Sequence, residues 1–235
     1  MPESLANLTA AVLVGGFGTR LRAVLPGQQK VLAPVAGRPF LTRILDQLSV
    51  AGVRRVVLCT GHQSDQVIAA IGNTYRNMVI QYSAEPTPLG TAGALRGALP
   101  LFAGDPVLVL NGDSFCDVDL AAFARSHAAR RAQASLVVTP AANTQASGRI
   151  TFDAEDQITC FTEKSPVGGP GWINAGLYLL SPQVLVSIPV NQAVSIEREV
   201  FPNWVGHGLY AFRTTGKFLD IGTPESYSTA QQVFL

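Results

Sequence analysis

A glycine-rich turn directly after the first apolar run of the chain carries the residue types most suited to chemistry. The apolar run, residues 10–14, is short enough to be a buried strand, and the glycines end it. Glycines let backbone N–H groups approach a ligand that a Cβ would keep away, and an arginine guanidinium matches phosphate oxygens. The pattern predicts a phosphate site, with a turn that serves only packing as the alternative. The turn contains Gly15, Gly16, Gly18, Thr19 and Arg20.

Two better-known phosphate motifs do not account for this turn. The dinucleotide fingerprint G-x-G-x-x-G would need a glycine where Leu21 stands, and no acidic residue follows about 20 positions later. A Walker A motif needs Gly-Lys followed by Ser or Thr, whereas Gly216-Lys217 precedes Phe218. Both classes of nucleotide site are therefore excluded for this turn.

The turn and the segment at residues 30–39 together resemble the signature of the sugar-1-phosphate nucleotidyltransferases. That signature reads G-G-x-G-T-R-L followed by P-K-P-M-x-P-V-x-G-x-P, and this chain reads G-G-F-G-T-R-L and later Q-K-V-L-A-P-V-A-G-R-P. The resemblance implies that the glycine turn and Arg20 hold a nucleoside triphosphate and that Lys30 contacts its phosphate oxygens. The chain departs from the family in having Gln29 and Val31 where prolines are usual.

Two carboxylates stand at the ends of apolar runs, where α/β proteins place ligands. Asp113 follows the run P-V-L-V-L, and Asp220 stands at the end of F-L-D beside a glycine. Each aspartate alone is equally consistent with a turn cap. Two carboxylates can share a Mg²⁺ ion that also binds phosphate oxygens, and the resemblance implies this role for Asp113 and Asp220. It also implies nucleotide contacts from Asn111 and Gly112.

The segment E-P-T-P-L-G-T-A-G-A, residues 85–94, precedes a predicted helix for which Thr91 is a candidate N-cap. From the residues alone it is equally well an ordinary strand-to-helix loop. It is nearly the base-recognising segment E-x-x-P-L-G-T-A-G of the resembled family. The resemblance therefore implies that the segment binds a purine base, with contacts from Glu85, Leu89, Gly90 and Thr91.

The pair Glu163-Lys164 and an N-A-G run that begins at Asn174 are the candidates for binding the acceptor. A Glu-Lys pair is usually a solvated surface. Asn and Gly are uncommon inside an apolar strand, where a glycine often marks a close approach of a ligand. The resemblance implies that Gly148, Glu163 and Asn174 hold a sugar 1-phosphate and that Lys164 contacts its phosphate.

Strands and helices alternate up to residue 139, which predicts an α/β fold with a Rossmann-like, mostly parallel sheet and helices on both faces. Strand-rich segments then predict a small antiparallel insertion at about residues 145–182. We expect residues 1–235 to form one nucleotidyltransferase domain. Predicted strands cover residues 10–14, 53–60, 78–83, 106–110, 134–139, 149–153, 157–162, 172–180 and 209–213. Predicted helices cover residues 40–48, 64–71 with Ser64 as cap, 91–99 and 119–131, and one follows Pro224.

Composition narrows the function further. The net charge is +1, without a basic run and with 8% aromatic residues, which argues against a nucleic-acid binder. No run of about 18 apolar residues and no basic start with an apolar region is present, so we expect no membrane span or signal peptide and predict a cytoplasmic protein. The cysteines are interpreted as reduced core residues and the histidines as structural. They are Cys59, Cys116, Cys160, His62, His127 and His207.

Several ordered motifs, among them N-G-D-S-F, I-N-A-G-L-Y-L-L and F-L-D-I-G-T-P-E-S-Y, resemble most the D-glycero-α-D-manno-heptose 1-phosphate guanylyltransferases. The resemblance implies in-line transfer of GMP from GTP to that sugar phosphate, giving pyrophosphate and GDP-heptose for surface polysaccharides. The expected partners are GTP and a sugar 1-phosphate, with neither nucleic acid nor membrane, and a homo-oligomer stays open. Two alternatives are transfer with another pair, such as mannose 1-phosphate with GTP or a sugar with UTP or CTP, and a non-catalytic subunit that binds a sugar nucleotide.

Overall fold

A ten-stranded mixed sheet forms the centre of the structure, accompanied by two short two-stranded ladders. The computed structural model describes residues 5–16, 18–21, 24–145, 148–162 and 168–234. The strands in these ranges are β1 (Thr9–Leu13), β2 (Pro34–Val35), β3 (Arg38–Pro39), β4 (Arg55–Thr60), β5 (Thr74–Tyr75), β6 (Met78–Ala84), β7 (Val107–Asn111), β8 (Ser114–Cys116), β9 (Ala134–Ala141), β10 (Arg149–Phe152), β11 (Ile158–Thr162), β12 (Gly171–Leu180), β13 (Leu209–Arg213) and β14 (Phe218–Asp220).

Seven α-helices connect the strands in the described part of the chain. They are α1 (Phe40–Val50), α2 (Ser64–Ile71), α3 (Gly90–Ala98), α4 (Leu120–Ala129), α5 (Pro182–Ser187), α6 (Phe201–Trp204) and α7 (Pro224–Val233). Shorter helical turns include Thr19–Leu21 and Lys30–Leu32, and a π-helical turn, Ile196–Val200, leads into α6. None of the helices in the described ranges combines the length and the apolar character that crossing a bilayer requires.

The strand order across the main sheet is β5-β6-β4-β1-β7-β12-β9-β13. β6, β4, β1 and β7 run parallel to one another, and β9 and β13 are also parallel. β12 is antiparallel to both of its long neighbours, β7 and β9. The first part of β12 also pairs with β10, which carries β11 at its other edge. The predicted mostly parallel α/β sheet with an antiparallel addition is therefore confirmed.

Apolar residues of β1 alternate between two cores, one on each face of the sheet. Ala10 and Val12 contact the core formed with α1, α2, α4 and α7. Ala11 contacts the second core, which is formed with α3, α5 and α6. Because a strand buried on both faces needs no polar residue in either direction, the run reads as continuous apolar sequence. This burial holds the glycine-rich turn at one fixed edge of the sheet.

Local chemistry explains where the helices begin and end. In α4, the Asp119 carboxylate accepts a hydrogen bond from the Ala122 N–H over 2.9 Å and caps the helix. After α1, Gly52 adopts a φ of +90°, and the Val53 N–H donates to the Leu48 carbonyl over 3.1 Å. This closing turn is the one that the Ala-Gly pair after the apolar helix predicts.

Several details differ from the sequence-based prediction. Ser64 is not the cap of α2; it is the first helical residue, and its hydroxyl donates to Thr60 Oγ1 over 2.9 Å. Gln63, with a φ of +59°, takes the cap position. Cys160 is exposed, so its assignment to the core was wrong, whereas Cys59 and Cys116 are buried. Cys160 lies on β11, which pairs with β10 on one side and, within the described ranges, with no strand of the main sheet on the other.

The buried histidine of α4 predicts a pH-dependent stability. Desolvation lowers the pKa of His127 to about 4, and its Nδ1 lies 2.8 Å from Ser135 Oγ. Because the unfolded chain binds a proton near the ordinary pKa of about 6.5, stability is lost as the pH falls from that value towards 4. Between these pH values the free energy of unfolding of the parent should fall by up to about 3 kcal/mol because of His127. We expect His127→Gln to lack this fall when the free energy is measured by urea unfolding.

The control is His207→Gln, which changes an exposed histidine after α6. That variant should keep the parent's dependence of unfolding free energy on pH. Parallel curves for the parent and His127→Gln would show that the buried imidazole does not contribute.

Candidate active site

Most of the predicted nucleotide residues meet in one cavity at the carboxyl ends of the parallel strands. The cavity has a volume of about 280 Å³. β1, β4, β6 and β7 all end there, because parallel strands present the same ends to one edge of the sheet. The predicted residues that line it are Gly15, Gly16, Lys30, Glu85, Gly90, Thr91, Asn111 and Asp113.

The surroundings of Gly15, Gly16 and Gly18 explain in different ways why glycine stands at each position. A Cβ on Gly15 would lie 3.1 Å from Glu85 Oε1, so the glycine leaves room for this carboxylate. Gly18 has a φ of +58°, and a Cβ there would lie 3.0 Å from Lys30 Cβ. Gly16 has no atom within 4 Å of the position that a Cβ would take. The turn is therefore packed at both ends and open in the middle, where a ligand can reach the backbone.

An ion pair joins Lys30 and Asp113, which were predicted to bind phosphate and metal. Lys30 Nζ lies 2.6 Å from Asp113 Oδ2. The lysine side chain is 9% exposed and the aspartate side chain 38%. An ammonium group buried this deeply needs a charged partner, since an unpaired buried charge is costly. The pair thus holds a positive charge beside a carboxylate in the cavity.

A short antiparallel ladder brings the two predicted metal aspartates together. β14 pairs with β8, so that Asp220 lies opposite Ser114. The Ile221 N–H donates to the Asp113 carbonyl over 2.9 Å. Desolvation, and next the charge of Asp113, raise the pKa of the Asp220 carboxyl, while the charge of Lys30 lowers it. Two carboxylates that repel each other in this way can share a cation.

Arg20 lies next to Asp220 and Gly222. A Cβ on Gly222 would be 3.4 Å from Arg20 Nη2, and the Gly222 N–H donates to Asp220 Oδ1. The positive charge of Arg20 also lowers the pKa of the Asp220 carboxyl. Within the described ranges no three His, Cys, Asp or Glu side chains form a metal cluster. An ion held by the two aspartates would therefore need phosphate or water oxygens as further ligands.

The end of β7 packs directly beneath the glycine turn. The Gly112 N–H donates to the Leu13 carbonyl over 2.9 Å, and a Cβ on this glycine would lie 2.6 Å from the same oxygen. Asn111, opposite Leu13 in the sheet, lines the cavity. Its Oδ1 is buried without a hydrogen-bond partner among the described residues. A buried unpaired acceptor is uncommon in proteins, and a ligand donor would satisfy it.

The segment predicted to bind the base is organised differently from the prediction. Leu89, not Thr91, takes the cap position of α3, and Gly90 is the first helical residue with a φ of +70°. The Thr91 hydroxyl instead donates to Glu197 Oε2 over 3.0 Å and accepts from the Ile196 N–H over 2.8 Å. The hydroxyl therefore holds the π-helical turn against α3.

Glu85 closes the loop before α3. Its Oε2 accepts from the Leu89 N–H over 3.0 Å. Desolvation raises the pKa of the Glu85 carboxyl, and the hydrogen bond from Leu89 acts in the opposite direction. One carboxylate oxygen is thus already used to shape the loop. Direct base contacts from Glu85, Leu89, Gly90 and Thr91 stay a prediction.

Two residues that the sequence analysis missed connect this segment with Asn174. The Tyr178 hydroxyl donates to Glu197 Oε1 over 3.3 Å, and Asn174 Nδ2 donates to the Tyr178 oxygen over 2.7 Å. Burial, followed by the charge of Glu197, keeps the pKa of the Tyr178 phenol well above its ordinary value. The phenol therefore remains a hydrogen-bond donor. The sequence signal for Glu197 is its position in a short segment whose apolar residues, Ile196 and Val200, are both buried. A carboxylate in such a segment needs a hydrogen-bond partner.

Asn174 lies where β12 departs from regular pairing with β9. Its Oδ1 accepts from the Gly176 N–H over 2.9 Å. Gly176 has a φ of +75°, and a Cβ there would lie 2.7 Å from Ser114 Oγ and 2.9 Å from Asn111 Nδ2. The glycine predicted from its unusual place in a strand thus marks a close approach of protein groups.

Some predicted residues can be placed only in part. Glu163 and Lys164 lie outside the described residues. Gly148 directly precedes β10, and Thr19 begins the helical turn Thr19–Leu21, but its side chain is outside the description. The roles assigned to these four residues stay predictions.

A known protein family matches nearly the whole chain. The model of the family described as "Nucleotidyl transferase" matches residues 9–235. The chain belongs to this nucleotidyl transferase family. The match includes both strand ends that carry Asp113 and Asp220, as well as the glycine turn.

Relatives and a solved structure are similar over nearly the whole of this transferase chain. Mannose-1-phosphate guanylyltransferase from Mycobacterium tuberculosis is 35% identical over 225 residues, 94% of this chain and 63% of that protein. The chain thus spans less than two thirds of that relative's length. D-glycero-alpha-D-manno-heptose 1-phosphate guanylyltransferase from Aneurinibacillus thermoaerophilus is 30% identical, with 96% and 97% covered. The crystal structure of HddC from Yersinia pseudotuberculosis superposes with a TM-score of 0.87 at 29% identity, covering 97% of this chain and 100% of that one.

The close approach at Gly176 predicts a large effect of one added methyl group. Gly176→Ala should lower the free energy of unfolding by about 2 kcal/mol, because alanine is strained at a positive φ and its Cβ meets Ser114 and Asn111. Gly97→Ala is the control, since Gly97 in α3 has no atom within 4 Å of a Cβ. It should raise stability by about 1 kcal/mol or less. Equal changes in urea unfolding for both variants would contradict this interpretation.

Proposed function

We propose that this nucleotidyl transferase moves GMP from GTP to D-glycero-α-D-manno-heptose 1-phosphate, with release of pyrophosphate. The observation that carries the proposal is that the glycine turn, Lys30 and Asp113 line one cavity. Asp220 and Arg20 lie beside them, since the charges of Asp113 and Arg20 both act on the Asp220 carboxyl. A triphosphate needs this combination of open backbone, positive charge and carboxylates for a metal. The guanylyltransferase relatives, and a complex of HddC with GMP-PN at a TM-score of 0.85, support guanine nucleotide as the donor.

The chain's own residues act by positioning and charge. Lys30 and Arg20 bind the triphosphate oxygens and reduce the repulsion that the incoming phosphate meets. Asn111 offers its unpaired Oδ1 to a donor on the nucleotide. A phosphate oxygen of the acceptor forms the new bond to the α-phosphorus, and the bond between that phosphorus and the bridging oxygen of pyrophosphate breaks. No covalent intermediate with the protein is needed.

A divalent cation fits the carboxylates of Asp113 and Asp220. Both are hard oxygen donors, and both lie at the edge of the same ladder. When bound, Mg²⁺ would draw electron density from the α-phosphate and neutralise charge as pyrophosphate leaves. Lys30, which pairs with Asp113 in this structure, would then contact phosphate oxygens as well.

The acceptor side of the proposed site includes β10 and β12. Asn174 is held at the bend of β12 by Tyr178 and by the Gly176 N–H. From this position it would bind sugar hydroxyls, and Gly148 would let the sugar approach the backbone. Glu163 and Lys164 complete the proposed acceptor contacts, with Lys164 on the phosphate.

Mannose 1-phosphate is the second candidate acceptor. The supporting observation is the 35% identity to the mannose-1-phosphate enzyme, against 30% to the heptose-1-phosphate enzyme. The two acceptors share a manno-configured ring, so the contacts proposed for Asn174 suit both. The heptose proposal rests on the resemblance of the ordered motifs.

A panel of nucleotides and sugar phosphates tests the proposed reaction. We expect pyrophosphate release with GTP and the heptose 1-phosphate, dependent on Mg²⁺ and abolished by EDTA. UTP and CTP should give rates lower by about 100-fold or more, because a pocket built for one base leaves polar groups unpaired with another. Faster turnover of mannose 1-phosphate would transfer the assignment to that sugar. Binding of GDP-sugar without any pyrophosphate release would favour a regulatory subunit.

The aspartate of the ion pair should be essential for turnover. Asp113→Asn keeps the shape but removes the charge that pairs with Lys30 and would hold the metal, so kcat should fall by about 10³-fold. Asp65→Asn changes an exposed acid in the first turn of α2 and serves as the control. Both variants are checked by thermal unfolding. Near-normal pyrophosphate release by a folded Asp113→Asn protein would remove this residue from the mechanism.

A further inference from the structure

The carboxamide of Gln29 is buried beneath the glycine turn and contacts two turns at once. Gln29 is 2% exposed. Its Nε2 donates to the Val14 carbonyl over 2.8 Å and to the His62 carbonyl over 3.1 Å, with a longer contact of 3.4 Å to the Gly16 carbonyl. An amide carries only two N–H groups, so the three carbonyls share them. The side chain therefore ties the turn after β1 to the turn after β4.

The backbone of Gln29 extends the same connection. Its N–H donates to Gln66 Oε1 over 3.0 Å, and Gln66 Nε2 donates to the Gly27 carbonyl over 3.0 Å. Its carbonyl accepts from the Leu32 N–H over 2.9 Å and closes the short helix that contains Lys30. Gln29 is thus linked to α2, to the glycine turn and to the residue that pairs with Asp113.

We infer that Gln29 is a positioning residue that holds the glycine turn in its triphosphate-binding shape. This inference rests on the proposed function and adds a residue to it. Gln29 acts through the turn and through Lys30 and has no step in the chemistry.

Peptide geometry explains how the Gln29 side chain can fix the direction of the N–H groups in the glycine turn. The carbonyl of one residue and the N–H of the next point to opposite sides of a trans peptide. Since Val14 presents its carbonyl to Gln29, the N–H of Gly15 points away from Gln29. Without the amide, the buried Val14 carbonyl and the partly buried Gly16 and His62 carbonyls would lose this donor, and the turn would rearrange to regain hydrogen bonds. The direction of the backbone N–H groups therefore depends on this side chain.

The presence of Gln29 where the resembled family has a proline has a physical explanation. Gln29 has a φ of −64°, a value that proline also adopts. A proline would keep the local backbone shape but would lose the N–H bond to Gln66 and all the side-chain bonds. In this chain, hydrogen bonds supply the restraint that a proline ring would supply. Gln29→Pro should therefore not be neutral, although its backbone fits.

Gln29→Met is the main test, because methionine is similar in length and lacks the amide donors. We expect the KM for GTP to rise by about tenfold, as for the loss of a hydrogen bond, with the KM for the sugar 1-phosphate within about twofold of the parent. Backbone amide exchange at residues 13–21 and 60–64 should become about tenfold faster. Gln29→Glu, which presents a carboxylate to carbonyl oxygens, should have at least as large an effect.

Gln28→Met is the matched control. Gln28 is the neighbouring glutamine, but it is exposed, and among the described residues its Nε2 donates to the Leu32 carbonyl alone, over 3.0 Å. It should leave both the GTP KM and the exchange of the glycine turn within about twofold of the parent. Equal exchange and equal GTP affinity in Gln29→Met and the parent would overturn the inference.

A second variant and a binding measurement test the inference if Gln29→Met does not fold or if the parent is inactive. If Gln29→Met does not fold, Gln66→Met removes the acceptor of the Gln29 N–H and the donor to the Gly27 carbonyl while it keeps the Gln29 side chain. It should move exchange and GTP binding in the same direction by about threefold. Unchanged values there would refute the inference. If the parent releases no pyrophosphate with any substrate pair, the proposed function fails. The exchange rates and calorimetry with Mg²⁺ and inorganic triphosphate then still decide whether Gln29 shapes an anion site.

Discussion

The ion pair between the buried Lys30 and the more exposed Asp113 is the interaction on which the candidate site depends. Lys30 comes from the segment after the glycine turn, and Asp113 follows the end of β7, so the pair closes the cavity across the edge of the sheet. A buried ammonium without this partner would carry a large desolvation cost. The same carboxylate lies beside Asp220, whose strand pairs with β8. The charges of Lys30, Asp113 and Asp220 therefore connect three parts of the chain that are distant in sequence.

Much of the fold and of this site could be predicted from residue patterns. Strand β1 is apolar on both faces, and its end is marked by glycines, so its burial and the turn that follows it were both evident. The aspartates could be singled out because Asp220 directly follows an apolar run and Asp113 follows one after Asn111 and Gly112. These features are local in sequence, and the physics that produces them acts over a few residues. The parallel order of the strands follows from the alternation with helices.

Other features depend on long-range contacts and could not be predicted. Thr91 has a good side chain for a helix cap, yet its hydroxyl bonds to Glu197 more than one hundred positions away. The π-helical turn at residues 196–200 and helices α5 and α6 lack the length that makes periodicity visible. Gln29 interrupts a family pattern, and only the carbonyls gathered around it explain why a polar residue is buried there. Sequence alone does not indicate which carbonyls will converge.

Strand β12 pairs with both β10 and β7, and this limits how the proposed acceptor side can change. Its first half pairs with β10 and its second half with β7, the strand that precedes the aspartate of the ion pair. The wall formed by β10 and β12 is consequently continuous with the edge of the sheet that carries Asp113, and swinging it outward as a separate lid would break sheet hydrogen bonds. A change of the proposed acceptor is then easier by exchanging side chains on that wall than by rotating it.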